Sequence, residues 1–334
     1  MNFTDYPIIA VAISIIICWA LFAILCSLCH EAIVQSIAER GRFMRKYLLN
    51  QLQDFSNDIN WGSILYMHGS IDLLSRDAGE PPRDINPRLF AETLVEVVGS
   101  SGLVQGKKDA TKGIIYKKDT LLNFKAATNV LAQSDVIGFL TQALKSAEQS
   151  ATEDSNGEMA KINIENEIYK KLIDNIEIWY NNLMGRVSIW YKKRTRVRLF
   201  WLGCILGLLL NIDSIQLFNH FNANPESRKA IMQYYEKNAS ELETKAALQT
   251  DTSAVPDMRK KAKEYLDSLK VTAESANLPV GLDKNIFNAA LPSTSVFRYI
   301  LFKLFGIIIT GFAASFGAPF WFDVLRKAYS TKKP

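Results

Sequence analysis

The sequence predicts a mainly α-helical, three-span membrane protein, with long helices extending into a cytoplasmic helical domain and a small helical outer cap. Three observations carry that reading. Apolar residues make up 48% of the 334 residues, and the mean hydropathy is +0.01, where soluble domains of this size fall on the polar side. These residues gather in three blocks, Tyr6–Cys29, Leu199–Asn222 and Leu304–Phe322; the first holds 24 residues without a charge and the last 19. Basic residues cluster at one end of each block. A run of about 18 or more mostly apolar residues is long enough to cross a bilayer core. The pattern excludes a plain soluble enzyme, a secreted disulfide scaffold and a disordered chain.

The basic clusters set the orientation. Arg40, Arg42, Arg45 and Lys46 follow the first block, Lys192, Lys193, Arg194, Arg196 and Arg198 precede the second, and Arg326, Lys327, Lys332 and Lys333 follow the third. Met1–Pro7 and Asp213–Ser227 hold no Lys or Arg, while Arg298 and Lys303 are the exception at the outer end of the third block. Basic residues near span ends mark the cytoplasmic side. The layout is therefore a first transmembrane helix over 1–30 with the N-terminus outside, a cytoplasmic helical domain over 31–198, and a second span over 199–222. A periplasmic helical hairpin over 223–297, a third span over 298–323 and a cytoplasmic basic tail over 324–334 complete it. A cleaved signal peptide fits the first block poorly, because Met1–Pro7 carries Asp5 and no basic residue. Residues 31–198 hold 23 basic and 21 acidic residues, so no broad positive field marks a nucleic-acid surface.

Each element follows from local pattern. Ile33, Ile37, Met44, Leu48, Leu52 and Phe55 recur at helical spacing without a proline, so the first span reads as running on into one long helix. Asn60–Gly62 breaks it. Ser63–Leu74 is short and apolar, and Asp77–Pro87 is a polar loop. Pro87 opens a helix over Arg88–Val98. Gly99–Lys118 is mixed and reads as turns or short strands; Thr120–Leu131 and Ser134–Ala147 read as helices, and Ser150–Gly157 as a linker. No proline interrupts Glu158–Phe221. Its stripe of Ile168, Leu172, Ile176, Trp179, Leu183, Val187 and Trp190 predicts a helix packed on the first long helix or on another subunit before it enters the membrane. Trp190, Tyr191, Lys192, Lys193 and Arg194 suit the headgroup level as interface anchors. Pro225 and Pro256 precede charged, helix-favouring runs, Glu226–Gln249 and Asp257–Glu274, which predict two antiparallel helices.

Candidate sites are few. Asn211, Asp213 and Ser214 form an intramembrane polar site near the outer end of the second span; a carboxylate there is a functional candidate because its burial in hydrocarbon costs about 2.5–3.5 kcal/mol on insertion scales. The plainer reading pairs Asp213 with Arg298 or Lys303. Gly311, Ala314, Ser315, Gly317 and Ala318 make a small-residue face suited to close helix packing in lipid, and Pro319 ends or kinks it. Cys18, Cys26, Cys29 and Cys204 all lie in the apolar blocks, and the CxxC spacing of Cys26 and Cys29 lacks the second ligand cluster a metal needs. His30, His68 and His220 fall in different expected compartments. His68 beside Tyr66 and Asp72 has the makings of a general base, but a surface histidine accounts for it more simply. No phosphate-binding loop, dinucleotide fingerprint, nucleophile elbow or metalloprotease motif is present. No catalytic, cofactor or metal residue is expected, and the chain is not expected to be an enzyme.

Gly317-Ala318-Pro319-Phe320-Trp321-Phe322-Asp323, followed by Val324-Leu325-Arg326-Lys327, resembles the C-terminal signature of a widespread family of uncharacterised bacterial inner-membrane proteins. Residues 179–188 with Trp190–Arg194, Asn211–Ser214, Leu278–Gly281, Leu65–His68 and Phe90–Leu94 are similar to its other landmarks, in the same order. Gly69 departs from it, since the family has Pro after that His. The resemblance implies three spans in a bacterial inner membrane and no particular activity. The function expected is a non-enzymatic membrane scaffold or sensor linking a periplasmic cap to a cytoplasmic domain, with an oligomeric channel or transport subunit as the alternative. Its partners are the lipid bilayer and further copies of the chain or other membrane or cytoplasmic proteins.

Overall fold

A computed structural model describes residues 6–75, 80–105, 120–153, 160–247, 257–280 and 293–330. Among them the protein is mainly helical, with thirteen helices, one two-stranded ribbon and at least one helix able to span a membrane. The chain divides into two compact units, Met1–Ile37 with Lys192–Pro334, and Ala38–Tyr191.

The second of these contains α2 (Glu39–Gln51), β1 (Gln53–Asp54), β2 (Ile59–Asn60), α3 (Trp61–Met67), α4 (Gly69–Asp72), α5 (Pro87–Gln105), α6 (Thr120–Val130), α7 (Asp135–Glu153) and the first part of α8 (Ala160–Leu209). The helix expected to continue unbroken to Phe55 instead restarts here, because Ala38 takes a left-handed backbone with φ 47°. No Gly or Pro announces that break. What fixes α2 is an approach at Gly41, where any Cβ would collide with the Pro81 carbonyl. The predicted helices over 88–98, 120–131 and 134–147 form as α5, α6 and α7. The first runs on to Gln105, so residues 99–105 are helical rather than turns or strand, and α7 runs on to Glu153, so 150–153 are helical rather than linker; 106–119, 154–157 and 77–79 lie outside the described residues.

The stripe on α8 supplies this unit's core. Leu172, Ile176 and Tyr180 are fully buried beside Leu48, Trp61, Leu65, Phe90, Phe124 and Leu140. Phe90 stacks on Tyr180 at 4.2 Å, and the Tyr180 hydroxyl donates to the Ile85 carbonyl at 3.2 Å, so a large ring is buried without stranding its polar end. The expected packing of this stripe on the first long helix is met through α2: Tyr47 meets Trp190 at 5.1 Å and Phe43 meets Tyr191 at 5.6 Å. Trp190 and Tyr191 thus have protein partners, while Lys192, Lys193 and Arg194 are exposed.

The ribbon turn is held by Asp54. Its buried carboxylate accepts from Trp61 Nε1 at 3.1 Å, Asn57 Nδ2 at 2.8 Å and the Ser56 and Asn57 amides at 3.1 Å. Asn57 in turn exchanges hydrogen bonds with the Ala132 backbone after α6. Burial alone raises the pKa of Asp54, but the hydrogen bonds from Asn57, Trp61 and Ser134 outweigh it and hold the carboxyl below the ordinary range. A pKa lowered on folding gives stability that is present above the unfolded value of about 3.9 and lost as pH falls through the folded value. Asp54→Asn is therefore expected to lower the thermal midpoint at pH 7 and to flatten its fall below pH 4; an unchanged acid limb in the circular-dichroism melt would refute this.

The other unit gathers around α1 (Pro7–Ser36). This helix has Pro at its first turn and rises about 45 Å. It is the one described helix long and apolar enough to cross a membrane unaided. Against it pack α9 (Ser214–Ala223), α10 (Pro225–Ala247), α11 (Met258–Ser275), α12 (Ser293–Ser315) and α13 (Ala318–Ser330). Ile17, Ala23, Ile24 and Cys26 are fully buried. The two other apolar blocks are bent: α8 and α9 meet at 57°, and α12 and α13 at 88°, so each counts as a span only as a broken pair.

The charged segment forms two helices close to the expected bounds, α10 and α11; the join over 250–255 lies outside the described residues. Both pack along α1 rather than beyond its end. The Tyr265 hydroxyl donates to the Leu21 carbonyl at 3.2 Å, and Met258, a turn or two earlier, lines one cavity with Leu28, so α11 runs antiparallel to α1. Tyr235 of α10 meets Tyr329 of α13 at 5.3 Å and stacks on Phe322. Segments expected on opposite sides of a membrane are thus in contact, because the turn at Gly317 carries α13 across the bundle instead of onward along α12.

The small-residue face finds its partner inside the chain. A Cβ on Gly203 of α8 would lie 2.8 Å from the Ala314 Cβ and 3.0 Å from the Gly311 Cα, and one on Gly311 would strike Cys204. Ser315 is half-buried and bonds its own helix at Phe312, Gly317 is the turn residue at φ 79°, and Ala318 is fully buried. Gly203 and Gly207 are the matching half, a GxxxG in the second block that the sequence reading passed over. Gly311→Leu is expected to force α8 and α12 apart and to lower detergent-solubilised yield several-fold, whereas Phe312→Leu on the exposed face changes little; equal yields would refute this packing.

Candidate intramembrane polar site

Asn211, Asp213 and Ser214 sit together in the four residues that separate α8 from α9. A helix break leaves up to four N–H and four C=O groups without partners at each end, and in apolar surroundings each is expensive. The local sequence meets that demand. Asn211 adopts φ 53°, the left-handed conformation Asn tolerates best after Gly. The Ile212 amide then donates to Gly207 O at 2.8 Å and the Asn211 amide reaches back to Leu208 O, closing the end of α8. Two residues on, Asp213 caps α9: its Oδ1 accepts from the Ile215 amide at 2.8 Å and the Gln216 amide at 3.3 Å.

The carboxylate is only 7% exposed and rests directly on Gly306 of α12, where a Cβ would overlap it. The expected pairing of Asp213 with Arg298 or Lys303 is not what holds it; its partners are backbone amides. Ser214 extends the site sideways. Trp19 Nε1 of α1 donates to Ser214 Oγ at 3.0 Å, Ser214 and Thr310 hydroxyls are 2.8 Å apart, and Thr310 Oγ1 donates to the Gly306 carbonyl at 3.0 Å. With the Thr310 hydrogen given to Gly306, Ser214 donates to Thr310. The chain runs from an indole N–H to a backbone carbonyl, tying α1, α9 and α12 together. An indole neither gives up nor takes a proton near neutral pH, so this is a brace and not a proton relay.

The second break is built in the same way. Gly317 supplies the left-handed turn and its amide bonds Ala314 O at 3.0 Å. Trp321 folds back so that Nε1 donates to Ala313 O at 2.7 Å, one of the orphaned carbonyls ending α12, while its ring lies 5.0 Å from Trp19. Pro319 stands in the first turn of α13, where its missing N–H costs nothing. Asp323 pairs with Arg326 on the exposed side. The Gly-Ala-Pro-Phe-Trp-Phe-Asp run is thus a turn device. From sequence, Trp321 stands out only as a member of that run and Trp19 not at all; the signal that finds both is a Trp beside a helix break.

Other candidates separate. His68 accepts from the Ser70 amide at 3.4 Å as a cap for α4 and lies 3.7 Å from Glu96. Among the described residues, no three His, Cys, Asp or Glu side chains are grouped to hold a metal ion. No protein-family model matches the chain, and neither a curated protein nor a solved structure shows significant similarity to it.

Asn caps a helix about as well as Asp. Asp213→Asn is therefore expected to leave the unfolding midpoint nearly unchanged, while Asp213→Leu loses the cap at a cost of about 1 kcal/mol. Equal destabilisation by the two, measured in detergent-phase denaturant titrations, would mean the charge itself is needed.

Proposed function

We propose that the protein is a non-enzymatic, multi-pass scaffold or sensor of a bacterial inner membrane, joining a membrane-embedded helical unit to a cytoplasmic helical unit. The observation that carries this reading is α8. Its first part gives Leu172, Ile176 and Tyr180 to one hydrophobic core, and its last part gives Leu199 to another. Beyond Leu199 it presents Trp201, Ile205 and Leu208 to the outside, each more than half exposed. Phe302, Phe305 and Phe312 of α12 are equally exposed. An apolar surface of that extent on a soluble monomer would drive aggregation; lipid is its natural solvent.

The basic residues at 192–198 favour a cytoplasmic side for that end of α8, with the N-terminus outside; the contact of Tyr329 with Tyr235 leaves 326–327 out of that argument. The likeness of the 317–327 run to the inner-membrane family supports the same compartment. In a background with Cys18, Cys26, Cys29 and Cys204 replaced by Ala, Lys229→Cys is expected to react with an impermeant maleimide in intact cells and Lys145→Cys only after lysis. The reverse pattern would invert the orientation, and release of the chain from membranes by alkaline carbonate would remove the membrane reading.

One observation favours a second reading, a subunit of an oligomeric channel or transport complex. The exposed faces of α10 and α11, which flank α1, carry Lys237, Glu241, Lys263 and Asp267. Side chains of that kind at the depth of a spanning helix need water, which a ring of subunits would enclose. Cation flux from a ring-shaped particle in proteoliposomes would establish that reading; a detergent-solubilised monomer would remove it.

A further inference from the structure

Where α10 ends and α11 begins, the two helices and α1 enclose a cavity of about 300 Å³. Its floor is apolar: Leu28 of α1, Met258 and the Tyr265 ring. The Tyr265 hydroxyl is turned away from it, spent on the Leu21 carbonyl. Its rim is charged, with Lys245, Lys261 and Glu264. The Lys245 ammonium stands 5.7 Å above the Tyr265 ring, so it overhangs the apolar floor at the solvent edge, with Glu241 beside it at 2.7 Å on the outer face. Lys260 reaches Glu264 at 4.0 Å, so three ammonium groups (Lys245, Lys260 and Lys261) stand against the Glu241 and Glu264 carboxylates, and the mouth keeps one positive charge above a greasy base. That combination fits an amphiphile with an anionic head and an alkyl chain, and 300 Å³ lies at the lower end of small-molecule sites.

The position of the cavity along α1 names the source. Leu28 lies 21 residues after Pro7, a rise of about 31 Å at 1.5 Å per residue, against a hydrocarbon core of about 30 Å. With the N-terminal end of α1 at one face of a bilayer, the cavity opens at the headgroup level of the other. The geometry points to a binding site for one anionic phospholipid, its phosphate held between Lys245 and Lys261 and the start of its acyl chain on Leu28 and Met258. This rests on the membrane reading of the protein. Free phosphate shares the head chemistry but makes no use of the floor.

The full chain, purified in neutral detergent, is titrated with phosphatidylglycerol, phosphatidylcholine or inorganic phosphate and its bound species counted by native mass spectrometry. Phosphatidylglycerol is expected to bind at least tenfold more tightly than phosphatidylcholine. Lys245→Gln with Lys261→Gln should abolish that preference, and Glu264→Lys should strengthen it, a gain that misfolding cannot produce. No preference in the wild type, a preference surviving the double substitution, or inorganic phosphate competing at the same concentration as the lipid would overturn the site. Soluble dihexanoyl-phosphatidylglycerol, titrated without bilayers, separates this from the membrane reading: if the chain proves not to be embedded, lysine-dependent binding of the short lipid still supports the cavity, and its absence overturns it.

Discussion

The burial of α1 governs the unit it belongs to. A helix apolar on every side has no face to give to water, and each Ile or Leu removed from water contributes about 1.5–3 kcal/mol. With Ile17, Ile24 and Leu25 almost fully covered, α1 is the centre about which α9 to α13 arrange themselves. Neighbours also bind its backbone and side chains in particular registers: Tyr265 on the Leu21 carbonyl, Ser214 on the Trp19 indole. The burial has a corollary for lipid. The most apolar helix is the most enclosed, and the exposed apolar surface of this unit lies on α8 and α12, at Trp201, Ile205, Leu208, Phe302, Phe305 and Phe312.

Enclosing one helix with others forces bends, and bends expose backbone. Both breaks in this unit lie in sequence that is otherwise apolar, where an unsatisfied amide or carbonyl costs several kcal/mol. The chain answers with side chains and left-handed residues within a few positions of each break: Asn211, Asp213 and Ser214 at one, Gly317 and Trp321 at the other. Polar residues in an apolar segment invite a transport reading, but backbone satisfaction accounts for these without one. Gly306 completes the account, since the absence of its side chain is what lets the Asp213 carboxylate lie flat on α12.

Much of this was legible in the sequence wherever one residue pattern had one structural outcome. The helices after Pro87, Thr120, Ser134, Pro225 and Asp257 begin where caps and prolines place them, and the α8 stripe is buried at Ile168, Leu172, Ile176, Leu183 and Val187, with Trp179 half-buried and Trp190 exposed. The polar trio at 211–214 was recognised as unusual. Its role was not, because a cap and an ion site use the same residue types, and only the position of the Ile215 and Gln216 amides tells them apart. The break at Ala38 was not legible at all: no Gly or Pro marks it, and the close approach that holds the helix after it, Gly41 on Pro81, joins residues 40 positions apart. Nor was the placement of α10 and α11, since a charged amphipathic helix carries no mark of whether it caps the end of an apolar helix or lies along its side.

That last placement constrains how the protein can sit in a bilayer. Met258 shares a cavity with Leu28 and Tyr265 meets Leu21, so one turn after another of α11 shares the depth of α1. Along the same turns α11 also carries Arg259, Lys260, Lys263, Asp267 and Lys270, all exposed. Charged side chains at span depth are tolerated when they face a protein partner or a water-filled space, and not when they face lipid tails. If α1 crosses the membrane, the surface beside it is therefore of two kinds at one height, apolar on α8 and α12 and charged on α10 and α11. A single copy surrounded by lipid satisfies only the first. The second needs water or a complementary charged surface, and further copies of the chain supply either when their charged faces turn toward one another.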